Sequence, residues 1–297
     1  MRVFVTGATG FVGSAVVQEL LQAGHQVLGL ARSEEASETL LAAGAQVHRG
    51  SIYELESLRS GAANADGVIH TAFNHDFSTF KENCETDRRV IQTLGETLAG
   101  TKRPLVVTSG IGVLPPLGRL AVEGDMPGQA VNPRVASEEA ADVVAAMGVQ
   151  ISIMRLPPSV HGAGDHGFVP MLIALAREKG VAVYTGEGLN RWPTIHRIDA
   201  ARLFRRALEK TSVPGTRYHA IGEEGVAFRD IAQSIGKHLH LPVESKSPEE
   251  AAVHFGWFAH FAGMDCPASG KQTQEQLGWT ASQPGLLADL DTGSYFI

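Results

Sequence analysis

The sequence predicts an α/β fold: a doubly wound parallel sheet carrying a smaller, mostly helical C-terminal lobe. Three observations predict it. Short apolar runs alternate with longer helical patterns over residues 1–110, as in a parallel sheet covered by helices on both faces. The chain opens on Val3-Phe4-Val5-Thr6, then Gly7, Gly10 and Gly13, then an apolar helical stripe; strand, tight turn and helix in that order form a dinucleotide-binding turn. A second apolar run follows about 20 residues later, as such folds demand.

In order, the strands read Val3–Thr6, Gln26–Ala31, Gln46–His48, Gly67–His70 and Leu105–Ser109, with helices over 11–23, 34–43, 54–62 and 77–99 between them. Val12, Val16, Leu20 and Ala23 share one face of the first helix, the pattern of a helix packed on a sheet. Ile111 to Asn132 has no regular pattern and holds four glycines and three prolines. A loop of that length in a compact domain is usually functional, and it is expected to wall a substrate cleft. A helix over 133–147 ends at Gly148, where glycine accepts the left-handed conformation cheaply, and leads to a sixth strand, Val149–Arg155. Beyond Leu156, the glycines Gly162, Gly164 and Gly167 approach a helix at Phe168–Lys179, followed by a strand at Val181–Tyr184. Asp199 has the chemistry of an N-cap for a helix at Ala200–Lys210. Further helices are expected at Phe228–Leu239, Pro248–Phe261 and Gly270–Leu277, with Phe255, Trp257, Phe258 and Phe261 read as lobe core. Residues 1–160, with 195–220 returning to them, form the expected Rossmann-type nucleotide domain, and 161–194 with 221–297 the substrate lobe.

Composition narrows the function classes. The 297 residues suffice for a nucleotide-binding domain with a smaller lobe. A net charge of −7 without any basic block argues against a nucleic-acid footprint. No apolar run approaches the ~18 residues of a membrane span, and Met1 leads directly into a core strand, with no pattern of a signal peptide. Cys84 and Cys266 have no metal or redox spacing, so no metal is expected and a reducing cytoplasm is the expected compartment.

The cofactor site follows from the strand ends. Gly7 lets the chain turn, Gly10 lets backbone approach a pyrophosphate, and Gly13 lets helix and strand pack closely. With Thr9, Phe11 and Val12 they offer N–H groups and the positive helix end to the phosphates. The second strand ends in Arg32-Ser33 rather than in an acidic residue. A guanidinium beside a hydroxyl suits a 2′-phosphate, which a carboxylate would repel, so NADP(H) is the expected cofactor. His70, Thr71 and Ala72, Thr108, and Leu156 end strands on the ligand side of the sheet. His70 reads equally as a buried, satisfied imidazole or as a functional one.

Thr6 to Gly13, TGATGFVG, resembles the extended and atypical branches of the short-chain dehydrogenase/reductase superfamily, above all its NAD(P)-dependent epimerases or dehydratases. Val68-Ile69-His70-Thr71-Ala72, Arg155-Leu156-Pro157, the return segment Arg191 to Asp199, and Leu277-Gly278-Trp279 carry the likeness onward. It implies a catalytic tyrosine four residues before a lysine, an upstream serine or threonine, and a supporting asparagine. The chain departs at each point. Matching Ser137-Glu138 to the family's Ser-Lys puts Arg134 at the tyrosine and Glu138 at the lysine position, and no tyrosine occurs between Tyr53 and Tyr184. Asp87 corresponds to the asparagine, and the hydroxyls Thr108 and Ser109 precede Gly110. Arg134, Glu138, Ser109 and Asp87 are therefore the candidate catalytic set. Arg134 and Glu138 read either as an ion pair on one helix face or as a cleft-facing guanidinium that stabilises an oxyanion, with Glu138 accepting ribose hydroxyls. His161, Tyr184 and His196 are candidate proton donors, His161 first, since histidine titrates near neutrality; a lone histidine there is also commonly structural.

Three functions fit. The first is an NADPH-dependent oxidoreductase reducing a small, largely apolar carbonyl or imine substrate. The second is a nucleotide-sugar epimerase or dehydratase, supported by Arg191 at the position of the family's phosphate-facing arginine but weakened by the missing tyrosine. The third is a non-catalytic NADP(H)-binding sensor. Dimers are frequent in the resembling superfamily, so a homodimer is one candidate state, and no stretch of the sequence marks an interface.

Overall fold

A computed structural model describes residues 1–128 and 132–296. Its sheet domain runs β1 (Arg2–Thr6), α1 (Phe11–Gln22), β2 (Gln26–Ala31), α2 (Glu34–Ala42), β3 (Gln46–Arg49), α3 (Leu55–Ala63), β4 (Gly67–His70), α4 (Phe80–Leu98), β5 (Leu105–Gly110), α5 (Ala136–Ala146) and β6 (Ile151–Leu156). There follow β7 (Ser159–His161), α6 (Phe168–Lys179), β8 (Ala182–Thr185), β9 (Arg191–His196), α7 (Arg197–Glu209) and β10 (Thr216–His219). The chain closes with β11 (Glu223–Ala227), α8 (Phe228–Leu239), β12 (Val243–Lys246), α9 (Pro248–Phe255), α10 (Ala259–Ala262), α11 (Lys271–Leu277) and α12 (Leu286–Asp291). One-turn 3-10 segments at Phe77–Thr79, Ile111–Val113, Pro133–Val135 and Gly256–Phe258 join some of these.

The main sheet has seven strands, all parallel, in the order β10-β6-β5-β4-β1-β2-β3. β1 lies between β4 and β2, so the winding reverses there and opens the crevice where such folds bind ligands. Apolar runs on β1, β4 and β5 are buried on both faces. Val16 and Leu20 of α1 meet Leu203 and Phe204 of α7 on one side; Leu58, Leu94 and Val144 of α3, α4 and α5 cover the other.

The lobe has its own core, built on Trp192, Phe228, Phe258 and Leu286. It is less purely helical than its sequence suggests, holding a three-stranded sheet, β11-β9-β7, and a two-stranded one, β12-β8. Those strands are short, and their burial is too mixed for a period-two pattern to stand out. Three local expectations are corrected. His196, not Asp199, caps α7, its ring accepting from the Ile198 N–H at 3.3 Å. Asp199 instead lies buried in the first turn and accepts the Ser282 and Gln283 N–H groups, both at 2.9 Å. The expected helix Pro248–Phe261 breaks at Gly256, whose φ of +56° ends α9. Leu277 and Trp279, placed in the lobe from sequence, pack into the α1–α7 core.

Candidate functional site

The glycine turn has the close geometry a dinucleotide needs. Gly7 takes a φ of +68°, and a Cβ there would lie 2.6 Å from the Ala72 nitrogen. A Cβ on Gly13 would lie 1.9 Å from the Gly7 oxygen, so α1 can start this near β1 only with glycine at both places. Thr71 sits behind the turn, its hydroxyl donating to the Thr6 carbonyl at 2.8 Å. Gly10 and Thr9 are exposed, and no side chain caps α1, which leaves the first-turn N–H groups of Phe11, Val12 and Gly13 for an anion. Arg32, past the end of β2, is exposed and makes no ion pair among the described residues. Ser33 accepts the Ala36 N–H and caps α2. Leu156 ends β6, half buried against the core. These residues fit a bound dinucleotide.

One residue at this turn escaped the sequence reading. The Arg197 guanidinium lies over the Phe11 ring, 4.6 Å from its centroid, and donates to Ser14 Oγ at 2.8 Å. It brings a positive charge from the lobe junction to the N-terminus of α1. Its place in the return segment was visible; that the segment folds back onto α1 was not.

Where the catalytic relay is expected, a buried polar chain crosses the strand ends. His70 is 1% exposed, with Nδ1 2.6 Å from Thr6 Oγ1 and Nε2 2.8 Å from Asp87 Oδ1. Both ring nitrogens are engaged, so the satisfied-imidazole reading describes it. Asp87 Oδ2 accepts from Arg134 Nη1 at 2.7 Å and from Ser137 Oγ at 2.5 Å, and Arg134 also bonds Ser137. Burial pushes the Asp87 carboxyl up, but Arg134 and His70 outweigh it and hold the group below the usual carboxylate range. Arg134 also donates to the Thr108 carbonyl at 3.1 Å and stacks on Phe73, 4.1 Å from the ring centroid. The Thr108 hydroxyl donates to the His70 carbonyl at 2.8 Å.

Arg134 and Glu138 do not pair with each other, which corrects the ion-pair reading. Arg134 belongs to the 3-10 turn before α5 and points to Asp87, whereas Glu138 points away, behind the sheet. Glu138 is 1% exposed and takes a bidentate pair from Arg155, at 2.8 and 2.7 Å, plus a bond from Arg217 at 3.0 Å. Burial raises its carboxyl, and the two arginines with Ser109 more than reverse this. The expectation that Glu138 accepts ribose hydroxyls is therefore corrected: two guanidiniums seal it from solvent. Ser109 is corrected with it, because its buried hydroxyl donates to Glu138 at 2.8 Å rather than toward the cleft.

His161 is also corrected as a candidate acid. It is buried at 1% exposure and pairs with Asp289 of α12 at 2.9 Å, tying the C-terminal helix to β7. Tyr184 packs in the lobe core and His196 caps α7. Arg191 pairs with Asp265 at 3.2 Å.

The cleft itself is a cavity of about 1140 Å³ between the two parts. The segments after β4 and β5 supply one wall, including His75, Phe77, Phe80, Ile111 and Leu114; Met171, Trp257, Phe261 and Met264 face them from the lobe. The long loop after β5 thus lines it through residues 111–119, Ala121, Gly128 and Asn132; Gln129 to Val131 lie outside the description. Phe255 and Phe258 are lobe core as expected, but Trp257 is 60% exposed and Phe261 also reaches the cavity. His75 was not picked out from sequence. It shares the Phe73 ring with Arg134, its own ring 5.0 Å from the Phe73 centroid, and burial together with Arg134 lowers its pKa. Among the described residues no cluster of metal ligands occurs, and no helix is long and apolar enough to cross a membrane.

A Rossmann-like sheet whose reversal carries a glycine cradle defines a nucleotide-cofactor protein. The chain belongs to the NAD dependent epimerase/dehydratase family, which it matches over residues 3–220. It is 51% identical to an uncharacterized protein of Schizosaccharomyces pombe over 296 residues, 100% of both chains, and 43% identical to one of Saccharomyces cerevisiae over 293 residues, 98% of both. Among solved structures, MoeE5 in complex with UDP-glucose and NAD shares the fold with a TM-score of 0.77 at 21% identity, covering 99% of this chain and 97% of that one. Relatives with stated activities include a UDP-glucose 4-epimerase of Streptomyces lividans and a 2-alkyl-3-oxoalkanoate reductase of Stenotrophomonas maltophilia, 26% and 29% identical.

Proposed function

We propose that this protein is an NADPH-dependent oxidoreductase that reduces a small, largely apolar carbonyl or imine compound in the cytoplasm. The cavity carries the reading. It lies beyond the ends of β4 and β5, and its walls are mostly apolar and aromatic, so it suits an uncharged substrate better than a sugar nucleotide. Arg32, without a carboxylate partner, supports NADP over NAD. The cofactor, when bound, supplies hydride chemistry. The chain's part is to bind and orient: Asp87, steadied by His70 and Ser137, fixes the Arg134 guanidinium beside Phe73, where it favours negative charge on a substrate oxygen.

A single observation favours a second reading, the NADP(H) sensor: the tyrosine and lysine positions of the resemblance hold Arg134 and Glu138, neither of which gives up a proton readily. Deuteride transfer separates the two. Incubation with 4-deuterated NADPH, each C4 stereoisomer in turn, and a panel of ketones, aldehydes and imines is expected to label a product from one stereoisomer only. NADPH binding that Arg32→Ala weakens, without transfer to any compound, would support the sensor.

A further inference from the structure

We infer that the cavity takes a quinone, a flat, uncharged, conjugated dicarbonyl, as the acceptor. The inference rests on the oxidoreductase reading and narrows its substrate class.

Proton supply is the first argument. Reducing an isolated ketone leaves an alkoxide, about as basic as hydroxide, whose conjugate acid has a pKa of ~15.7. The charge must be met by a positioned acid. Here the groups at the relay positions are engaged otherwise. A guanidinium is not a proton donor near neutral pH, and that of Arg134 is bound to Asp87; Ser109 and Glu138 bond each other behind the sheet, and the Thr108 hydroxyl donates to a backbone carbonyl. Two histidines line the cavity: His75 favours its neutral form, and His260, exposed on the lobe wall beside Phe261, is not at a relay position. A quinone removes the requirement. Its reduced anion is a phenolate, with a conjugate acid near ~10 as for tyrosine, roughly six powers of ten less basic than an alkoxide. Arg134 can stabilise such an anion without donating a proton.

Shape and charge agree. Phe77 from the sheet domain meets Trp257 and Phe261 from the lobe, with ring centroids 5.1 and 5.5 Å away, and Phe80 stacks on Phe77 at 5.5 Å. Flat conjugated molecules stack favourably on such walls. Among the described residues, Arg119 is the one arginine lining the cavity, held by Asp125 through two bonds at 2.8 and 2.6 Å, and no lysine lines it. A diphosphate, with two or more negative charges, would find only Arg134 beside the cavity, already paired with Asp87, while a quinone is neutral until reduced. In the balanced step the quinone gains one hydride from the reduced nicotinamide and one proton from water. It leaves as the hydroquinone, and the cofactor is left oxidised by two electrons.

Two bicyclic probes of similar size test this: 2-methyl-1,4-naphthoquinone, and 1-tetralone, whose reduction leaves an alkoxide. Binding is measured first, by equilibrium dialysis against the full chain with NADP+. Cys266 lines the cavity, but burial pushes its thiol up to about 12, which disfavours the thiolate that would add to the quinone. Both probes are expected to bind, UDP-glucose is expected not to displace them, and Trp257→Ala, at an exposed position, should weaken both about tenfold. NADPH oxidation is measured second, and is expected to run at least about 1000-fold faster with the quinone than with tetralone. Comparable rates would overturn the inference by revealing a proton donor, and would leave the oxidoreductase reading standing. Binding of both without NADPH oxidation would overturn the two together. Failure of the quinone to bind, or its displacement by UDP-glucose, would overturn the inference in favour of a sugar-nucleotide site.

Discussion

Asp87 and Glu138 are two carboxylates buried at positions where the resemblance expects relay groups, yet the molecule treats them differently. Glu138 sits behind the end of the sheet, between Arg155 and Arg217, and Arg217 passes the charge on to Asp142 at the surface, 2.8 Å away. Asp87 has one guanidinium, one hydroxyl and one imidazole, and its arginine is 14% exposed beside the cleft. Both carboxyls are held below their ordinary range by their partners. Pairing alone therefore does not separate a structural carboxylate from a functional one. What separates them is where the partners go: Arg155 has no exposed surface and Arg217 turns to Asp142, whereas the arginine on Asp87 stacks on Phe73.

The sharpest way to break this contrast is Glu138→Gln, which leaves Arg155, with no exposed surface, short of its counter-charge. Removing one partner of a buried pair costs about 3–5 kcal/mol, so urea unfolding should show a loss of that order. NADPH affinity, measured on the folded fraction, should stay within about twofold; a large fall there would put Glu138 back at the ribose. Arg134→Met addresses the other carboxylate. The Asp87 pKa should rise, and turnover on the best acceptor should fall by about 100-fold or more, the scale of losing a positioned oxyanion donor, with NADPH affinity nearly unchanged by titration calorimetry. Unaltered turnover would make Asp87 as structural as Glu138.

Sequence made one of these regions far more legible than the other. Gly7, Gly10 and Gly13 announce the cofactor turn because the physical demand is local: a positive φ at Gly7, and close backbone approach at Gly7 and Gly13. Arg134 and Glu138 looked like a helical pair because spacing is all that a sequence shows. Their true partners, Asp87, Arg155 and Arg217, come from other elements, up to 79 residues away. His161 misled for the same reason, since Asp289 lies 128 residues on. Trp257 departed from its aromatic neighbours because α9 ends at Gly256, and the 3-10 turn that follows rotates one ring outward while burying the next, Phe258.

Arg32→Ala tests the cofactor side at a smaller scale. Arg32 is exposed and makes no ion pair among the described residues, so its loss should leave folding untouched. It should weaken NADPH about tenfold, the range of one charge-assisted bond at a wet site, and leave NADH unchanged. Equal weakening of both would place Arg32 away from the 2′-phosphate.

The least effect at neutral pH is expected at His219, and it sharpens the Glu138 side of the contrast. His219 is fully buried, with Nδ1 2.9 Å from the Ser269 carbonyl and Nε2 3.2 Å from Arg155 Nη1. Nδ1 therefore carries the proton and Nε2 accepts, which suits a neutral ring. Burial, then Arg155, lowers its pKa to about 4. In the unfolded chain the ring takes a proton near pH ~6.5, so between there and about 4 the unfolded state binds more protons and stability falls as pH falls. Below that window the depressed carboxyls Asp87 and Glu138 add their own loss as they protonate. His219→Gln, whose amide can donate to Ser269 and accept from Arg155, should change the unfolding midpoint little at pH 7. It should flatten the midpoint's fall between pH ~6.5 and ~4 while leaving the steeper fall below it. An unchanged slope in that window would mean that burial and Arg155 do not hold the ring neutral.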